Sequence, residues 1–126
     1  EGSGNIQCLD VLRALAREPA CASALRHAFD AARGQQPAFD AAADAVLRQL
    51  AVLATAQPAV QQAAARRLVE QLALVLQAAV LLGAGSPLAA DFCRSRLDGG
   101  RGQVFGTLVD GIDTGLALQR AWSMPA

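Results

Sequence analysis

The sequence predicts an all-α fold, an up-and-down bundle of about five helices. Three observations lead there. Apolar residues make up 53% of the 126 positions, much of that alanine, with no Tyr and only four Phe and one Trp as aromatics. Such a composition favours helix over sheet. Apolar positions recur at spacings of three and four and never alternate over a strand's length. Pro19, Pro37, Pro58 and Pro87 each precede such a run, where a missing N–H costs nothing because the first helical turn leaves it unpaired.

The first helix spans about Asn5 to Arg17, with Ile6, Leu9, Leu12 and Leu15 along one side and Asp10 and Arg13 on the more polar side. Ser3 or Asn5 can cap it. The second opens at Pro19, carries Leu25 and Phe29 one turn apart, and stops at Gly34. The third opens at Pro37, where Phe39, Ala43, Val46, Leu50 and Leu53 form the stripe of a bundle helix. Asp44 and Arg48 are spaced for an outward i, i+4 pair worth about 0.2–0.5 kcal/mol.

The fourth helix opens at Pro58 and is the longest and most apolar. Val60, Ala64, Leu68, Leu72, Val75, Ala79 and Leu82 line one face, and Leu74, Leu76 and Leu81 widen it. A helix apolar on most sides requires several neighbours. Gly83 and Gly85 end it. Ser86-Pro87 starts a fifth helix running to about Leu97, followed by Asp98-Gly99-Gly100, a Gly-rich segment, and a weak helix from Asp113 to Trp122. Loops of three to five residues between the second and fifth helices suit antiparallel neighbours.

Charge and cysteine content exclude several functions. Eleven acidic residues balance eleven basic ones, all of them Arg, so no general attraction to nucleic acid or anionic membrane follows. Cys8, Cys21 and Cys93 form no CxxC pair, and His27 is the single histidine, a pattern that does not support a zinc site. Reduced, mostly buried thiols in a cytoplasmic protein are the simplest reading. The apolar stretch Leu68–Leu82 carries Glu70, Gln71 and Gln77 and falls short of the roughly 20 residues of a bilayer span. The sequence starts without an initiator Met or a signal-peptide pattern.

Residue chemistry alone displays no active site. No Ser-His-Asp set, P-loop or dinucleotide fingerprint occurs. The run Gly99-Gly100-Arg101-Gly102 reads as a turn before an anion site. His27 reads as a surface or satisfied histidine, the cysteines as packing residues, and Trp122 as an anchor of the tail.

The opening Glu1-Gly2-Ser3-Gly4-Asn5-Ile6-Gln7-Cys8-Leu9-Asp10-Val11-Leu12-Arg13 adds a second line of argument. It resembles the loop-to-helix junction near the end of acyl-CoA dehydrogenases, where Glu-Gly-Thr-x-Gln-Ile-Gln precedes a helix. It is most similar to the adaptive-response branch of that family, whose version reads Glu-Gly-Ser-Gly-Asn before a Cys-Leu-Asp-Val-Leu-Arg helix. Phe39-Asp40, then Phe92-Cys93-Arg94-Ser95-Arg96-Leu97, a Gly-rich gap and Phe105-Gly106-Thr107-Leu108 look like the tail of the same branch. About a hundred residues follow the junction, as in the branch with an appended helical domain.

This resemblance implies the C-terminal part of a larger, FAD-dependent flavoprotein. Residues 1–17 would be the active-site loop and last helix of its helical domain, and 18–126 the appended domain. In many members the Glu of this loop is the general base, and Glu1 occupies that position. A carboxylate takes the proton next to a thioester when desolvation raises its pKa. Gly2, Ser3 and Asn5 fall where family members approach the FAD; Ser3 and Asn5 serve as flavin contacts, as caps, or as both. Acyl-CoA is the implied substrate and a homo-oligomer the implied assembly. The isolated chain is expected to be inert and to bind no FAD.

Two alternatives stand beside this reading. The same branch associates its C-terminal domain with DNA, for which Arg66-Arg67 and the trio Arg94, Arg96 and Arg101 offer phosphate contacts. Glu70, Asp91 and Asp98 lie nearby, so the support is thin. A structural role is the other: an apolar appended bundle can form an oligomer interface, leaving the isolated chain prone to self-association.

Overall fold

The computed structural model describes residues 2–99 and 107–122. They form six α-helices: α1 (Gly2–Arg17), α2 (Pro19–Ala32), α3 (Pro37–Ala54), α4 (Pro58–Gly83), α5 (Ala89–Arg96) and α6 (Thr114–Ala121). No strand occurs among the described residues. The predicted all-α bundle is the observed fold.

Proline sets three of the helix starts. Glu18, Gln36 and Gln57 are extended, and Pro19, Pro37 and Pro58 follow at the first helical position. The ring presets φ and pushes the preceding residue out of the helical region. None of these three junctions has a side-chain cap, so proline geometry stands in for one. Glycine ends the long helix. Gly85 has φ +60°, its N–H donates to the Leu82 carbonyl at 3.0 Å, and the Ser86 N–H donates to that of Leu81 at 2.9 Å. This is the Schellman arrangement, which satisfies carbonyls the last turn leaves open.

The 26-residue α4 is the hub. It packs against α1, α2, α3 and α5, as its broad apolar surface requires. The buried core joins Phe29 and Ala32 of α2, Phe39, Ala43 and Val46 of α3, and Leu68, Leu72, Val75, Ala78, Ala79 and Leu82 of α4. Ala89 and Cys93 of α5 complete it. The predicted α3 stripe is thus the buried face, with Leu50 and Leu53 at its margin.

Several local expectations differ from the structure. Helix α1 begins at Gly2, so Ser3 and Asn5 lie within its first turn rather than capping it. Ile6 is 58% exposed, although its spacing groups it with Leu9, Leu12 and Leu15. Steps of three residues lag a 3.6-residue turn by about 60° each, so Ile6 and Leu15 end on opposite sides. Val60 is also exposed; it sits in the first turn of α4, ahead of Ala65, the first buried residue of that helix. Asp44 pairs with Arg33 at 2.7 Å rather than with Arg48, tying the end of α2 to α3. Ser86 does not cap α5 directly: its hydroxyl accepts from the Leu88 N–H at 3.3 Å, and the helix proper begins at Ala89.

Polar bonds hold α6. Arg94 of α5 donates to the carbonyls of Asp110 at 2.6 Å and Gly111 at 3.1 Å. The Asp91 carboxylate accepts from the Asp113 N–H at 3.0 Å, and Asp113 in turn caps α6 by accepting from the Leu116 N–H at 2.9 Å. No residue of α6 is buried, and Trp122 is 74% exposed. Trp122 therefore does not anchor the tail; Arg94 and Asp91 do.

Candidate functional site

The structure gathers Gly2, Ser3 and Asn5 onto one turn at the start of α1, with Ser3 exposed and Asn5 half-buried. A first helical turn directs N–H groups outward without intrahelical partners. To these the sequence adds a hydroxyl and an amide. Glu1, the predicted base, lies outside the described residues, as do Arg101 and the segment through Gly106.

Arg66 of α4 joins this turn from across the bundle. Its Nη2 lies 3.6 Å from where a Cβ on Gly4 would stand. A Cβ there would make ordinary van der Waals contact with the guanidinium, so Arg66 packs beside the first turn of α1. The sequence marks Arg66 only as a phosphate contact beside Arg67; its place near the first turn of α1 depends on how α4 crosses α1, which no local pattern encodes.

Other candidates fall away from this turn. His27 is exposed on α2. Cys93 is fully buried in α5, and burial pushes its thiol pKa up, which disfavours the thiolate a nucleophile needs. Cys8 is half-buried and Cys21 exposed, so one of the three thiols departs from the expected burial. No cluster of His, Cys, Asp or Glu suited to a metal occurs among the described residues. Arg94 donates to two carbonyls and lies 3.8 Å from Asp91, so part of its donor set is already engaged. No helix among the described residues is long and apolar enough to cross a membrane.

Comparison with known proteins adds a relative. The chain is similar to a dehydrogenase-like protein of Escherichia coli. Over 99 residues it is 37% identical to that strain K12 protein, described as "Putative acyl-CoA dehydrogenase AidB". The match covers 78% of this chain and 17% of the relative's length. The chain therefore spans about a sixth of the length of the relative it matches. No protein-family model matches the sequence, and no solved structure matches it.

Proposed function

We propose that this chain is the C-terminal helical part of an FAD-dependent acyl-CoA dehydrogenase-like protein, of the adaptive-response branch, and that it contributes the loop carrying the catalytic base. The observation that carries this reading is the 37% identity over 99 residues to the protein described as "Putative acyl-CoA dehydrogenase AidB", together with the Glu1–Arg13 motif.

In this reading Glu1 removes the proton from the carbon next to the thioester carbonyl of an acyl-CoA. FAD supplies the acceptor for the hydride that leaves the neighbouring carbon. The donor set at the start of α1 fits such a cofactor: open N–H groups, the Ser3 hydroxyl and the Asn5 amide are complementary to an acceptor-rich edge. Arg66 adds a cation beside the same turn. Gly2 adds a position without a side chain at the start of α1, where a ring system can approach closely.

We further assign residues 1–17 to the last helix of the dehydrogenase's helical domain and 18–126 to an appended domain. Helix α1 packs on α2 and α4, both of which fall in the segment assigned to the appended domain. A cytoplasmic, homo-oligomeric protein is the setting this family reading supplies.

The test is cofactor retention in the whole flavoprotein. Replacing Ser3 and Asn5 together with alanine is expected to weaken FAD binding at least tenfold while the helical circular-dichroism signal stays unchanged. Unaltered FAD affinity in that double variant contradicts the assignment of this turn to the cofactor.

A further inference from the structure

We propose that the cleft between α1, α2, α3 and the start of α4 binds a single-chain aliphatic anion, with the chain among its leucines and the anionic head at Arg26. This inference is independent of the flavin reading, because the cleft's lining begins at Leu9 and excludes the Gly2–Asn5 turn.

The cleft has a volume of about 440 Å³ and lies where the α1–α2 and α3–α4 hairpins have their tips. Leu12, Leu15, Leu25, Leu47, Leu50 and Leu53 line it. All six pack against the core on one side and remain only partly buried. Alanines such as Ala22 and Ala51 form the remaining walls, and their short side chains leave the space open between helices that all lean on α4.

Size decides between classes of occupant. One turn of an α-helix about 10 Å across fills roughly 420 Å³, so a helical partner would insert no more than a single turn. The volume instead falls in the range of small-molecule pockets, about 300–1,000 Å³, whose walls are mostly apolar with a few fixed polar groups.

Charge selects the head group. The lining holds two arginines, Arg13 and Arg26, and no acidic residue. Arg13 is already paired with Asp10 at 2.7 Å. Asp30, one turn beyond Arg26, is engaged by Arg33 at 3.3 Å. Among the described residues Arg26 has no hydrogen-bond or ion-pair partner. Arg26 is exposed at the cleft, and a carboxylate or similar anion there would meet it with charge-assisted hydrogen bonds.

Isothermal titration of the 126-residue chain with decanoate, decanoyl-CoA and decanol tests the proposal. Decanoate is expected to bind one per chain with a negative heat-capacity change, and decanol at least tenfold more weakly. Arg26→Gln should weaken decanoate about tenfold and leave decanol unchanged. Ala51→Phe, or Ala22→Met if the first variant loses its helical signal, should abolish binding by filling the cleft. Saturable binding of decanoate supports the proposal, whereas decanoyl-CoA binding more tightly than decanoate overturns it, because a thioester carries no charge at the head of its chain. Absence of saturable binding by both, equal affinity for decanol, or an Arg26→Gln variant with wild-type affinity overturns the proposal. Since no flavin enters the titration, these outcomes leave the FAD prediction separately testable.

Discussion

Phe29 of α2 and Phe39 of α3 meet edge to face, with ring centroids 6.2 Å apart and ring planes at 89°. Both are inaccessible to solvent, and they face each other across the turn that reverses the chain at Gly34, whose φ is +78°. The Gly34 N–H donates to the Asp40 carboxylate at 3.2 Å, fixing the turn from the α3 side. The ring pair and the turn therefore form one unit that aligns α2 with α3.

Truncating either ring should be felt by the whole bundle. Phe29→Ala and Phe39→Ala are each expected to lose about 3–5 kcal/mol of stability in urea unfolding. The double variant should show a coupling of roughly 0.5–1.5 kcal/mol, as edge-to-face pairs do. Strict additivity of the two losses would mean that the rings contribute only through separate burial.

Arg94→Ala should act locally. Its two donor bonds to the Asp110 and Gly111 carbonyls lead directly to the Asp113 cap of α6. Amide exchange across 113–121 is expected to speed up at least tenfold, while core amides in α4 keep their protection. Equal acceleration in both regions would show that Arg94 supports the bundle rather than α6.

The three thiols should separate by reactivity and by pH. Cys21 is exposed and Cys93 buried, so a thiol reagent is expected to label Cys21 promptly and Cys93 only on unfolding. Burial raises the folded-state pKa of Cys93, whereas an unfolded thiol titrates near about 8.5. Its contribution to stability is therefore full below that pH and is lost as pH rises through the folded-state value. Replacing Cys93 with Ala should flatten the decline of stability above about pH 8.5; an unchanged alkaline slope would contradict this.

Much of the fold was legible because its signals are local. Proline at 19, 37 and 58 and glycine at 34 and 85 mark helix ends through backbone geometry alone. The Phe39-to-Leu53 stripe follows from a steady alternation of four- and three-residue steps. Ile6 was misplaced because an unbroken three-residue spacing winds around a helix instead of staying on one face. Trp122 was misread because size alone does not bury a side chain when the helix carrying it is held by polar bonds.

The site was legible only as a motif. Ser3 and Asn5 were expected near a helix start and lie in its first turn. The approach of Arg66 to Gly4 and the cleft beside Arg26 depend on helix crossings between distant segments. Periodicity within one helix does not encode such crossings.

The most direct test of the functional account is Glu1→Gln in the whole flavoprotein, followed by anaerobic mixing with an acyl-CoA. FAD should remain bound, and the rate at which substrate bleaches the flavin absorbance should fall by about 10²–10⁴-fold, the range of a lost general base. Bleaching at the wild-type rate would contradict the assignment of Glu1 as the base.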